Sequence, residues 1–182
     1  MIERVVAIGG PPGSGKSTAG RRVVGALGLT FYSAGEEFRA GAKARGMDVE
    51  EFGRYAESHP EVDRTLDDRM QALARPGVLL DGRLQGVLCR RRGIPVYSIV
   101  VTATEAERAR RVAERDHQPL AEALRRIRER TASERQRYRD LYGIDIDADP
   151  GDFSVDSTSL TPEAVAAEIL KFLPARPVEG KS

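Results

Sequence analysis

Two periodicities alternate along the chain. Val5-Val6-Ala7-Ile8 is an unbroken apolar run, and from residue 15 to residue 27 the apolar positions space out at helical intervals until Gly28 stops them. A short continuous run reads as a strand buried on both faces, and the wider spacing as a helix. The alternation recurs: Thr30-Phe31-Tyr32 predicts a second strand, residues 77–83 a third, residues 96–101 a fourth and residues 152–156 a fifth. Helix starts lie between them. Ser33-Ala34-Gly35-Glu36 and Asp48-Val49-Glu50-Glu51 have capping-box spacing, Pro60 opens a third helix, Thr104 caps one that runs to about Asp116, and Thr161-Pro162-Glu163 opens a last one ending near Leu173. Strands alternating with helices predict an α/β fold, one parallel sheet covered on both faces.

Two helical stretches carry unusual charge. In the one after Pro60, Val62, Leu66, Met70 and Leu73 make an apolar stripe, which leaves Asp63 and Asp67 together on an adjoining face that ordinarily meets solvent. From Pro119 to Tyr142 the chain is helical with room for one break, its apolar stripe reduced to Leu120, Leu124 and Ile127. Arg126, Arg130 and Arg137 come near one face, with Ser133 between them. So little apolar surface suits a lid over about 116–142 that detaches to admit substrate, or else a solvated surface helix. Residues 174–182 are expected to be a disordered tail.

Composition narrows the class. A chain of 182 residues, 40% hydrophobic and 31% charged, is expected to be one soluble domain (1–173), and its net charge of +1 gives no basic field for nucleic acid or an acidic membrane. Nearly all the positive charge is arginine, the lysines being Lys16, Lys43, Lys171 and Lys181. Arginine suits bidentate phosphate contacts, although a GC-rich coding sequence gives the same bias. Cys89 is the one cysteine, so no internal disulfide forms, and its place in a helical stretch makes it a packing residue. With no apolar leader and no run long enough to span a membrane, a cytoplasmic monomer is expected.

The chemistry concentrates after the first strand. Gly10-Pro11-Pro12-Gly13-Ser14-Gly15-Lys16-Ser17-Thr18 fits G-x-x-x-x-G-K-[ST] between a strand and a helix. Its glycines let successive amides turn inward around a phosphate, Lys16 adds charge near the β and γ phosphates, and the Ser17 hydroxyl is placed for Mg²⁺. Asp81, ending the third strand, has the position of an acid that holds the same Mg²⁺, the alternative being a turn Asp before Gly82.

Three further blocks carry a resemblance: Ser33-Ala34-Gly35-Glu36-Glu37-Phe38-Arg39, Asp81-Gly82-Arg83, and Arg130-x-x-Ser133-Glu134-x-x-Arg137-Tyr138-x-x-x-Tyr142-Gly143-Ile144-Asp145. With the loop they make the chain, from about residue 4 to residue 173, resemble the short cytidylate kinases typical of archaea, a branch of the P-loop nucleoside monophosphate kinases. The resemblance implies a three-layer fold with strand order 2-3-1-4-5, an acceptor region over about 33–75 and transfer from ATP to CMP or dCMP with Mg²⁺. It also implies roles. Ser33 and Gly35 belong to the acceptor site, and Arg39 and Arg83 grip the acceptor phosphate. Arg111 and Arg115 match a pair that lies against the ATP base and reaches its phosphates, while Arg130 and Arg137 close on the transferring group. The run Asp81-Gly82-Arg83-Leu84-Gln85-Gly86 departs from the family's commoner Glu at the first position and Ala in place of Gln85, which puts Gln85 in reach of the acceptor. A carboxylate such as Asp63 or Asp67 would accept from the 4-amino group of cytosine.

Rival readings share the loop. An adenylate or UMP kinase would use the same phosphate-handling residues. A small-metabolite kinase of the shikimate or gluconate type would have less use for phosphate-gripping arginines after strands two and three. A regulatory or RNA-processing factor that hydrolyses ATP slowly would need no acceptor, and the chain lacks the basic stripe with aromatics that an RNA partner asks for.

Overall fold

The structure is a computed structural model describing residues 2–174; the expected tail, 174–182, lies outside the described residues from 175 on. Five strands, β1 (Val5–Gly9), β2 (Thr30–Ser33), β3 (Val78–Asp81), β4 (Val96–Thr102) and β5 (Phe153–Asp156), form one sheet in the order β2-β3-β1-β4-β5. Every pairing in it is parallel. The helices are α1 (Lys16–Leu27), α2 (Ala34–Ala44), α3 (Val49–Glu57), α4 (Glu61–Ala72), α5 (Gln85–Arg91), α6 (Glu105–Asp116), α7 (Leu120–Tyr142) and α8 (Pro162–Phe172).

The strand period of two splits the apolar run of β1 between two cores. Val6 and Ile8 join Leu79, Ile99 and Val101 against α1 and α8, whereas Val5 and Ala7 join Val78 and Leu80 against Met70 and Cys89. Cys89 is therefore a packing residue, as its setting predicts. Burial on both faces is what lets the sheet hold its carboxyl edge still, and ligands of open α/β sheets bind at that edge. Register finishes the job: Ser33 pairs with Asp81 and Asp81 with Ile8, so the ends of β2, β3 and β1 lie side by side.

Local signals mostly hold. The Asp48–Glu51 capping box forms in both directions, at 2.7 and 2.9 Å. The one at Ser33 is half formed: Ser33 accepts from the Glu36 amide, but the Glu36 carboxylate turns to Arg21. The charged stretch before Tyr142 is one unbroken helix of 23 residues. Its packing also differs from the expected stripe, because Leu120 is 55% exposed while Ala123 and Ile127 pack on Ala109 and Val112 of α6. Among the described residues no helix is long and apolar enough to cross a membrane.

Candidate active site

The carboxyl ends of β1, β2 and β3 open into a cleft of about 1080 Å³, bounded by the β1–α1 loop, α2, α3, α4 and α7. The loop is possible only with glycine. Gly10, Gly13 and Gly15 have φ of 142°, 81° and 85°, and a Cβ on Gly10 would stand 2.0 Å from the Val101 carbonyl oxygen. Its carbonyls are held from behind. Arg111 donates to the Ser14 carbonyl at 3.3 Å and to Ser157 at 2.6 and 2.9 Å, and the Ser157 hydroxyl lies 2.8 Å from the same Ser14 oxygen. Arg108 donates to the Pro12 carbonyl at 3.2 Å. These contacts hold two of the loop's carbonyls, and the Ser14 amide closes the turn on the Pro11 carbonyl at 3.2 Å.

Lys16, at the start of α1, is half-buried in the cleft, and its ammonium is pushed down to about 8. Desolvation is the main cause, added to by Arg130 and Arg83 and opposed by Asp81 and Glu134. Beside it, Ser17 donates to Asp81 Oδ2 at 2.7 Å and Ser33 donates to the same oxygen at 2.8 Å. Asp81 Oδ1 is buried with no partner in the protein. A carboxylate oxygen left free beside a hydroxyl fits a hard cation that keeps most of its shell for water and phosphate, as Mg²⁺ does. No cluster of three or more acidic, His or Cys side chains among the described residues offers a metal a full protein cage.

On the α4 side, Asp63 and Asp67 are 3% and 4% exposed, not on a solvent face. The apolar stripe of α4 faces the sheet, and the adjoining face is covered by α7 and by Gln85. Arg137 Nη1 donates to both oxygens of Asp63 at 2.6 Å, with its guanidinium 5.1 Å from the Phe38 ring. Tyr142 donates to Asp67 Oδ2 at 2.9 Å, and Gln85 Nε2 donates to Oδ1 at 3.2 Å. Gln71 in turn donates to Gln85 Oε1 at 2.8 Å, which fixes which way that amide points. Burial raises both acids, Asp67 to about 6, against the bonds from Tyr142 and Gln85 that favour its charged form.

The arginines converge from separate elements. Arg83 follows β3, Arg39 sits on α2, and Arg130 and Arg137 are the eleventh and eighteenth residues of α7; all four line the cleft. Burial and the nearby Arg130 lower Arg39. Between Arg83 and Arg130 stands Glu134, 2% exposed. Burial alone would raise its carboxyl, but Arg130 and Arg83 outweigh it and hold it below the usual range.

Most of the residues singled out from sequence thus line one cleft: Pro12, Gly13, Gly15, Lys16, Ser17, Thr18, Ser33, Gly35, Arg39, Asp63, Asp67, Asp81, Arg83, Gln85, Arg115, Arg130 and Arg137. Gly10, Pro11 and Ser14 shape the loop without lining it. Arg111, expected against the nucleotide base, bonds to the loop carbonyl of Ser14 and to Ser157, and Arg115 lines the cleft while paired with Asp116 at 2.7 Å. Sequence reasoning missed Arg108, Ser157 and Glu134. Only Glu134 had a readable signal, a charged residue four positions after Arg130 and three before Arg137.

Comparison with known proteins gives concordant matches. The AAA domain family matches residues 9–145. A cytidylate kinase of Thermoplasma volcanium is 38% identical over 91% of this chain and 88% of its own. Those of Pyrococcus horikoshii and Methanopyrus kandleri are 38% and 42% identical over 90% and 79% of this chain, and over 84% and 79% of theirs. Among solved structures, a shikimate kinase from Acinetobacter baumannii in complex with shikimate superposes with a TM-score of 0.62 at 15% identity, covering 93% of this chain and 92% of that one. At that identity the likeness concerns the fold alone.

Proposed function

The chain belongs to the cytidylate kinase family, and to the AAA domain family over residues 9–145, and from that premise we propose that it transfers the γ-phosphoryl of ATP to CMP or dCMP. The observation that carries the reading is one cleft with a triphosphate loop on one wall and four arginines from three other elements facing it. A hydrolase needs no such second set of anion contacts.

In this reading the loop amides and Lys16 hold the β and γ phosphates, and Arg39 and Arg83 hold the acceptor phosphate. An acceptor oxygen attacks the γ phosphorus in line, the bond to the β–γ bridging oxygen breaks, and ADP leaves with that electron pair. The acceptor oxygen is already anionic, so no general base is assigned. What the chain supplies is placement and charge compensation, with Arg130 and Arg137 spread over the equatorial oxygens. Ser17 and Asp81 would hold Mg²⁺, which when bound supplies further compensation on the β and γ phosphates. α7 acts as the lid: seated as it is here, it excludes water that would otherwise take the phosphoryl group.

The reading extends to the base. The charge of Asp63 is met by the Arg137 guanidinium, whereas Asp67 accepts only from the neutral donors Tyr142 and Gln85, so Asp67 and Gln85 are taken as the reading pair. Because Gln71 occupies Gln85 Oε1, Gln85 presents its Nε2 donor beside the Asp67 acceptor. Cytosine offers the complement, a 4-amino donor next to the N3 acceptor. Uracil offers the reverse order, and the mismatch leaves buried polar groups unpaired, the costly kind of discrimination.

The test is coupled ADP release with ATP, Mg²⁺ and each of CMP, dCMP, UMP, AMP and GMP. Turnover is expected to be fastest with CMP or dCMP. ATP consumption independent of every monophosphate would overturn the kinase reading, and faster turnover with UMP or AMP would overturn the acceptor.

A further inference from the structure

Glu134 is a fully buried acid that the mechanism above does not use. It stands in the last place a carboxylate would be expected, at the focus of the cations that are to receive phosphate. Its Oε1 accepts from Arg130 Nε at 2.8 Å, and its Oε2 lies 3.0 Å from Arg83 Nε. Lys16 feels its charge as well. Both arginines are therefore met at Nε, the inner nitrogen of the guanidinium. Their outer Nη groups, the forked donors that match phosphate oxygens, are left over.

A second observation points to a ligand at the same place. Arg83 Nη2 is buried with no hydrogen-bond partner, its nearest acid being Asp147 at 3.7 Å. The Arg83 contact to Oε2 is itself an ion contact outside hydrogen-bonding alignment, since both atoms lack a partner by that measure. An acid that merely neutralised Arg83 would take its Nη fork in a two-pronged pair, as carboxylates commonly do. This one leaves the fork open.

We propose that Glu134 is a positioning residue for the transfer: one carboxylate holds Arg83 of the sheet side and Arg130 of α7 at a fixed separation by their inner nitrogens, so that their outer forks close together on the acceptor and transferring phosphates. The residue also couples α7 to the core, because Arg130 reaches its working place only when Glu134 is seated against Arg83. The inference rests on the kinase reading of the same cleft.

The experiment compares Glu134→Gln, Arg130→Ala and the double variant with the wild-type chain, using ATP, Mg²⁺ and CMP. Glu134→Gln is expected to lower kcat by about 30- to 100-fold, the scale of one lost positioning contact, while KM for ATP and for CMP each stay within about threefold. In the Arg130→Ala background the same substitution should cost less than about fivefold, since much of what it acts through is gone. A kcat above one third of wild type, a rise in KM without a fall in kcat, or equal losses in both backgrounds would each overturn the proposal. Should Glu134→Gln fail to give a cooperative melt, Glu134→Asp is the readout: its shorter carboxylate spans the two nitrogens poorly and should give an intermediate kcat, and a wild-type kcat overturns the idea. A wild-type chain that transfers to no monophosphate would overturn the function and this inference with it, whereas an active wild type with an equally active Glu134→Gln overturns the inference alone.

Discussion

Raising the pH should weaken ATP binding through Lys16. Burial in the loop, helped by Arg130 and Arg83, pushes its ammonium down to about 8, against the pull of Asp81 and Glu134. Bound phosphates favour the charged form, so the complex keeps the proton while the free protein loses it. At pH 9, one unit above that value, about one free molecule in eleven is protonated, and binding must supply about 1.4 kcal/mol to restore the charge. The apparent Kd should therefore rise about tenfold between pH 7 and pH 9, with about 0.9 proton taken up per ATP at pH 9 and about 0.1 at pH 7. Isothermal titration in two buffers of different ionisation enthalpy reads both quantities. Lys16→Arg, charged throughout, supplies the baseline and should show neither change. A wild-type Kd that stays flat with no proton uptake, or an equal slope in Lys16→Arg, would refute the reasoning. The same depressed value gives the stability term its sign: the unfolded chain binds more protons between about 8 and 10.5, so this group makes the nucleotide-free fold more stable as pH rises through that window.

Three other substitutions test separate parts of the cleft. Asp67→Asn should lower the CMP over UMP ratio of kcat/KM at least tenfold and remove the loss of CMP turnover that protonation of Asp67 imposes below about pH 6; an unchanged ratio would sink the base reading. Arg137→Met leaves the Asp63 carboxylate buried and unpaired, which should cost about 3–5 kcal/mol in urea unfolding, and adding Asp63→Asn should return most of it; a loss below about 1 kcal/mol would contradict the pairing seen here. Asp81→Asn should raise the Mg²⁺ concentration for half-maximal rate at least tenfold and lower kcat by about 10², and an unshifted Mg²⁺ titration would remove Asp81 from the metal site.

The fold was legible because its signals are local. The β1 run, the loop and the helix caps are each written within a few residues, and the parallel sheet follows from their alternation. Strand order came through the family resemblance, as spacing alone does not set it. What escaped was contact between distant charges. Apolar periodicity places Asp63 and Asp67 on a solvent face, because it cannot see that α7 returns over them with Arg137 and Tyr142. The same blindness affects α7. Its buried stripe runs Ala123, Ile127, Glu134, Arg137, keeping helical spacing while its chemistry changes from apolar to ionic halfway along. A search for apolar positions ends at Ile127 and reads the rest as loosely held. Arg111 is another such case: its spacing to Arg115 gives no sign of its bond to Ser157, 46 positions further on.

The central claim is that two phosphate sites face each other across this cleft. The most direct measurement follows the label of γ-labelled ATP when Mg²⁺ and CMP are present and Arg83→Ala is run beside the wild type. The account predicts label in CDP, with little in inorganic phosphate, and a shift toward inorganic phosphate when Arg83 is removed. Label that went from the wild-type chain to inorganic phosphate alone, whatever monophosphate was present, would contradict it.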